Sequence, residues 1–454
     1  MKNKLDFKDS LLIGSLLFGL FFGAGNLIFP LELGQQSGFN LIAVTLGFLI
    51  TGVGLPILGV ISVGLTDSNS LFDLAKPAGK NFAYFFTVLL YITIGPGFAI
   101  PRTSTVSYEV AFAGNNSNNS FGLIIFSILF FTLACLLAMR KNKLMDTIGK
   151  YLTPGFLILL AVLVLLGIFK PMGGISIASP VDKYLKKPII AGLIDGYNTL
   201  DAPASLAFAV IIIDSIKKLD IRETSDIAKQ IARSGMICLL AMSVVYASLA
   251  YLGSTSTNIM EIGSNGAIIL AEVSRFYLGT AGHILLSAIV FIACLKTAIG
   301  LISACSDIFI QMFDNRISYR GYCIIFTLIS FMIANLGLER IIRLSMPILM
   351  FIYPLSIVLM LLASASHLMG KSSKVYKWTL GFTMIPAIFD MLVNTPEIIS
   401  KSIFANSILY IPRNYLPGFD LGFGWIIPAI VGFIIGFIID KNINKSKMTY
   451  TRGS

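Results

Sequence analysis

Charge is what this chain has least of. Only 13% of its residues are Asp, Glu, Lys or Arg, against about 25% in a typical soluble domain. With 56% hydrophobic residues, that scarcity excludes a large water-soluble helical domain. Histidine is scarcer still: His283 and His367 are the only two, and neither belongs to a cluster. The five cysteines, Cys135, Cys238, Cys294, Cys305 and Cys323, all lie in apolar segments without metal-like spacing. They read as small buried hydrophobes. No acid–base–nucleophile set can be assembled from these residues, so neither catalysis nor an organic cofactor is expected. No loop is long enough for a second domain. The longest, about 394–422, is expected to lie across the surface. No removable leader is expected, because no small-residue cleavage site follows the first apolar stretch. The end, Thr451-Arg452-Gly453-Ser454, reads as an expression remnant.

What is present is a succession of apolar stretches of bilayer-crossing length. Twelve are expected, at about 10–35, 40–65, 83–110, 121–139, 150–170, 188–215, 231–253, 281–308, 321–337, 341–364, 377–395 and 421–440. The stretch from Ala267 to Tyr277 carries Glu272 and Arg275, and is expected as a short helix outside the membrane.

A formal charge of +11 raises the question of nucleic acid. The positions of the charges exclude it, because Lys and Arg collect in the short loops between apolar stretches. With the N-terminus inside, 23 basic residues fall on the inner side and 9 on the outer. That bias predicts both termini in the cytoplasm and an even number of spans. The partners expected from composition are therefore the lipid bilayer and a transported solute. No obligate protein partner is evident.

Two expected spans are interrupted by small and polar residues. The first break is Gly23-Ala24-Gly25-Asn26; the second runs from Gly196 to Pro203. Unwound backbone is costly in lipid unless it lines a protein-enclosed cavity. There, a half-helix start offers N–H groups and a half-helix end offers carbonyls, so a broken helix can hold an anion or a cation. The breaks fall in spans one and six. Spans one to five and six to ten then form two repeats of opposite orientation, about 10–170 and 188–364, with two extra helices at about 377–440. The whole of 1–450 is expected to form one transmembrane domain. The competing reading of the first break is tight helix packing by glycine.

Asp195 and Asp201 flank the second break, and Asn198, Thr199 and Ser205 add oxygens suited to a hard cation. Asp201 serves equally as a helix cap. Span three carries two glycines and two prolines between Gly95 and Pro101, then Arg102. Arg102 is expected to pair with Glu109 or Glu32, or to reach headgroups, with a direct role in substrate binding as the competing reading. In span eight, Thr297 and Gly300 share a face, as do Lys296 and Gly300. Lys296 has two readings: a coupling cation paired with Asp201 or Asp195, or a side chain that snorkels.

Four motifs together carry a resemblance: GAGNLIFPLELG at Gly23 to Gly34, IGPGFAIPRTSTVSYE at Ile94 to Glu109, DGYNTLDAPASLAF at Asp195 to Phe208, and ACLKTAIGLISACS at Ala293 to Ser306. In order and extent they resemble the branched-chain amino acid:cation symporter family. The resemblance implies an all-α polytopic protein of the amino acid–polyamine–organocation superfamily. Its fold would be a LeuT-like 5+5 inverted repeat with broken first and sixth helices, plus two helices. It implies import of leucine, isoleucine and valine across the bacterial cytoplasmic membrane by alternating access, coupled to sodium.

The substrate would meet Ala24, Gly25 and Asn26 in the first break and Tyr197, Asn198 and Thr199 in the second, with Phe98, Tyr197 and Phe208 around its aliphatic side chain. One methylene discriminates by only about 1–3 kcal/mol, so overlap among the branched residues is expected, with methionine a further candidate. Sodium would lie between spans one and eight, near Phe22, Gly23 or Asn26 and Thr297, Gly300 or Ser303, with Lys296 and Asp201 as coupling residues. Lys296 stands where the family leads us to expect a neutral residue. Pointing inward, it favours a proton as the coupling ion; pointing away, it leaves sodium. A carrier of the same fold for another neutral amino acid or a nucleobase, and a non-transporting receptor, are the remaining alternatives.

Overall fold

The computed structural model describes residues 6–66, 68, 70–112, 120–140, 144–221, 223–314, 316–369 and 371–451. Arg452, Gly453 and Ser454, and the basic residues Lys2, Lys4, Lys141, Lys143 and Arg222, lie outside them. All regular structure among the described residues is helical.

Among the described residues, six helices have the length and hydropathy to cross a bilayer alone, and two bent pairs raise the number to eight. Helices Leu144–Phe169, Tyr319–Ala334, Ser373–Val393 and Ile426–Thr451 occupy the remaining four positions of the expected order. The bent pairs are the two interrupted spans. Phe7–Phe21 and Ala24–Gln36 meet at 75°; Pro188–Thr199 and Asp201–Lys217 meet at 46°.

Local chemistry explains both bends. Phe22 and Gly23 are extended, with φ/ψ of −73°/100° and −126°/−167°. The Gly23 N–H, stripped of a helical partner, donates to Asn26 Oδ1 at 3.0 Å. At the second break Leu200 takes the left-handed conformation, φ 65° and ψ 5°. That costs a non-glycine residue about 1–2 kcal/mol, and it persists only where the surroundings fix it.

Each broken span packs on the second helix of the other repeat, a reciprocity that an inverted repeat produces. The first span lies on Thr224–Ser256: a Cβ on Gly34 would sit 1.9 Å from the Ala250 carbonyl oxygen. The sixth lies on Gly38–Gly64: a Cβ on Gly192 would sit 2.1 Å from the Val44 oxygen, and one on Gly59 1.9 Å from Ser205 Oγ. Without side chains at these points the backbones approach closely, as membrane helices do at small residues. Ser205, expected among the cation oxygens, lies at this contact, and its hydroxyl donates to the Ala202 carbonyl.

Between the seventh and eighth spans, the expected short helix forms and ends where Gly279 breaks the helix at φ 65°, ψ −170°. Asn265 caps it, accepting from the N–H groups of Ala267 and Ile268. The expected surface loop after Val393 is partly helical, with Ile403–Tyr415 pinned by the buried Ala405 and Leu409.

Candidate functional site

The two breaks are tied together by one side chain. Asn26 Nδ2 donates to Asp201 Oδ2 at 2.5 Å and also to the Tyr246 hydroxyl. Its Oδ1 is held by the Gly23 N–H. The Tyr246 hydroxyl donates to the same Asp201 oxygen at 3.4 Å. The Asp201 carboxylate therefore faces the first break. The N-cap of the second half-helix is Leu200, and the Asp201 N–H donates to the Thr199 hydroxyl at 3.3 Å. Sequence left Asp201 divided between cap and site wall; it is the first residue of the half-helix, not its cap, and it lines the cavity.

A cavity of about 240 Å³ opens between these breaks, the third span and the eighth. Of the expected site residues, Phe22, Gly23, Ala24, Gly25 and Asn26 line it from the first span. Thr199, Asp201 and Phe208 line it from the sixth, and Lys296, Thr297 and Gly300 from the eighth. Four do not. Tyr197 turns away and stacks on Tyr353 at 3.8 Å between ring centres, while the Tyr353 hydroxyl donates to the Tyr197 carbonyl. Asn198 contributes its carbonyl to Arg102. Phe98 packs on the hydrophobic core, and its neighbour Ala99 takes the wall position. Ser303 interacts with Tyr319 of the following helix. The apolar lining comes instead from Ile94, Leu200, Ala204, Ile211 and Leu301.

Arg102 also lines the cavity, the position its substrate-binding reading requires. It pairs with neither expected carboxylate. Its Nη1 donates to the Asn198 carbonyl at 2.7 Å, and its guanidinium lies 5.1 Å from the centre of the Phe29 ring. Glu109 instead accepts from Asn265 at 2.6 Å, and Glu32 from Gln36 at 3.3 Å. The signal for Arg102 was the cluster ahead of it. Gly95, at φ −108° and ψ −120°, kinks the third span within the wide turn Thr93–Gly97, and so re-aims everything after it. Asp195 is not available to Lys296. It is bonded to Tyr184 and forms an ion pair with Lys183 at 3.2 Å.

The cavity runs from the breaks toward the end of the bundle that holds Phe7–Phe21 and the end of Asp201–Lys217, reaching Gly19, Ile211 and Ala304. The other end is sealed. A Cβ on Gly266 would lie 1.9 Å from the Ile28 oxygen. Gln35 Nε2 donates to Ser256 Oγ at 3.0 Å, and Gln35 Oε1 accepts from the Gly263 N–H at 2.7 Å. No cluster of three or more His, Cys, Asp or Glu side chains with metal-holding geometry occurs among the described residues.

Residues 6–443 match the family model described as branched-chain amino acid transport protein. The chain belongs to that family. The branched-chain amino acid permease BrnQ of Lactobacillus delbrueckii subsp. lactis is 42% identical over 438 residues, 96% of this chain and 97% of the relative. The permease BraB of Bacillus subtilis is 40% identical over 98% of this chain and 99% of its own length. Among solved structures the chain resembles Mhp1, a nucleobase-cation-symport-1 family transporter. The closed conformation with bromovinylhydantoin bound gives TM-score 0.62 at 11% identity, covering 96% of this chain and 93% of that one. The inward-facing conformation gives TM-score 0.56 at 14% identity, with 96% and 91% covered. That likeness establishes the LeuT-type inverted-repeat fold expected from the two breaks. Family membership makes the chain a secondary transporter of branched-chain amino acids, not an enzyme.

Proposed function

We propose that this chain imports leucine, isoleucine and valine into the bacterial cytoplasm by sodium-coupled symport. The observation that carries the reading is the cavity at the paired breaks, with the Asn26–Asp201 bond in its wall. Half-helix ends supply polar groups for the charged head of an amino acid, and Ile94, Ala204 and Leu301 supply an apolar wall for an aliphatic side chain. The basic-residue bias favours cytoplasmic termini. On that orientation the cavity runs to the cytoplasm, and the seal around Gln35 and Gly266 faces outward. Alternating access would exchange this arrangement for one open on the Gln35 side.

Sodium is a co-substrate in this reading. Phe22 and Gly23 of the first span and Thr297 and Gly300 of the eighth face the cavity together, which supports a cation site between those spans. A second reading rests on Lys296, which lines the same wall. A cation fixed there opposes sodium and favours a proton. Counterflow in proteoliposomes tests the substrate assignment. Vesicles preloaded with unlabelled leucine should draw in labelled leucine, and external isoleucine or valine in excess should suppress the uptake. Suppression by neither would reject the branched-chain assignment.

A further inference from the structure

The backbone donors expected to receive the substrate's carboxylate are partly used up by the protein. The Gly23 N–H is taken by Asn26 Oδ1, the Asp201 N–H by Thr199 Oγ1, and the Leu200 N–H by the Tyr197 carbonyl. The cavity nevertheless has two side chains of opposite charge in its wall, each almost fully buried. Arg102 and Asp201 are each 5% exposed. They are close enough to interact electrostatically, yet no ion pair within 4.0 Å forms between them.

Each is held by something else. Arg102 is fixed by the Asn198 carbonyl and by Phe29, and one of its five N–H donors is spent. Asp201 accepts from Asn26 and Tyr246 through the same oxygen, Oδ2. A guanidinium buried at mid-membrane with one hydrogen bond is poorly compensated. Its planar fork matches a carboxylate in two-point geometry. The lack of a side chain at Gly25 leaves it room, for a Cβ there would lie 3.1 Å from Arg102 Nη2.

We infer that the Arg102 guanidinium receives the substrate's α-carboxylate and that Asp201, in the same cavity wall, receives its α-ammonium. The inference rests on the amino acid transport reading and names the two groups that recognise the zwitterion. The aliphatic side chain then extends along Ala204, Ile211 and Leu301 toward the open end.

The test is competition against labelled leucine on the purified, reconstituted full chain, with three ligands: leucine, leucinol, which lacks the carboxylate, and 4-methylpentanoate, which lacks the amine. The unaltered protein should prefer leucine to either analogue by about a hundredfold or more, since a site built around a charged group rejects ligands that leave it unpaired. Arg102→Gln should weaken leucine by about tenfold to a hundredfold, the range for a charge-assisted hydrogen bond. Its leucine-to-leucinol ratio should fall toward one while the preference over 4-methylpentanoate survives. Asp201→Asn should do the reverse. Arg102→Lys, which keeps the charge and loses the fork, should fall between, and guards against a Gln variant that does not fold. Lys229→Met, at an exposed residue paired with Asp226 outside the cavity, should leave both ratios in place.

A leucine-to-leucinol ratio unchanged in both Arg102 variants overturns the inference. That result leaves leucine transport standing. Failure of the unaltered protein to bind any of leucine, isoleucine and valine removes the transport reading, and this inference with it.

Discussion

Asn26 and Asp201 stand 175 residues apart in sequence and share a 2.5 Å hydrogen bond at the point where both broken helices unwind. Asn26 satisfies the orphan N–H of its own break with one end and the carboxylate of the other break with its other end. Geometry of the two half-helices is thereby coupled through a single amide. Asn26→Ala should lower stability by about 1–3 kcal/mol, because Gly23 and Asp201 both lose a buried partner. It should also reduce leucine uptake more than tenfold, on the order of 1.4 kcal/mol or more at the transport barrier. Thermal unfolding in detergent together with initial uptake rates checks both. Full activity in Asn26→Ala would show that the link is dispensable.

Close helix contact between the repeats predicts a sharp positional contrast. Gly34→Ala drives a Cβ into the Ala250 carbonyl at 1.9 Å, whereas a Cβ on Gly381, in an exposed part of its helix, meets nothing within 4 Å. Overpacking costs about 1–3 kcal/mol. Gly381→Ala should be neutral or slightly stabilising, as expected for Gly to Ala inside a helix. Melting temperatures of the two variants, measured side by side, decide it.

In the first half of the sixth span, Asp195 holds two partners of unequal worth. Lys183 is 46% exposed, and an ion pair of that kind contributes about 0–1 kcal/mol. Tyr184 is 1% exposed. Burial pushes its phenol well above the usual value, so it stays a donor at neutral pH. Its loop is sewn to the first and second spans, since the Val181 N–H donates to the Gln36 carbonyl and Asn40 Nδ2 to the Tyr184 carbonyl. Tyr184→Phe should therefore destabilise by about 1–3 kcal/mol and Lys183→Ala by less than about 1 kcal/mol. Equal effects in denaturation experiments would contradict this ranking.

Side-chain selectivity is assigned to the apolar wall. Ala204 is 8% exposed and faces the cavity. Ala204→Val narrows the space for the larger substrates, so the leucine-to-valine preference should fall by about tenfold or more, a methylene being worth about 1–3 kcal/mol. Ratios of kcat/KM for labelled leucine and valine supply the measurement.

Much of this was legible in sequence, for particular physical reasons. Glycine and polar residues inside apolar stretches mark the breaks, because few other arrangements tolerate them in lipid. Matching breaks in spans one and six then imply the inverted repeat. Side-chain direction was less legible. A helix turns about 100° per residue, so Phe98 and Ser303 point away from the cavity while Ala99 and Gly300 face it. Tyr197 was misread for another reason. Its ring is taken by Tyr353, 156 residues later, and no local pattern announces that stacking. The ion-pair alternative for Arg102 fails because the kink at Gly95 re-aims the rest of its span, bringing the guanidinium to the Asn198 carbonyl at the second break and not to Glu32 or Glu109.

The central claim is that the paired breaks drive concentrative uptake with sodium as the partner ion. It is tested most directly by labelled leucine uptake into proteoliposomes under an imposed inward sodium gradient, compared with an imposed inward proton gradient and with neither. The account predicts transient accumulation above equilibrium with the sodium gradient alone. Accumulation driven only by protons would transfer the coupling role to the Lys296 reading, and equilibration without accumulation under both gradients would contradict symport.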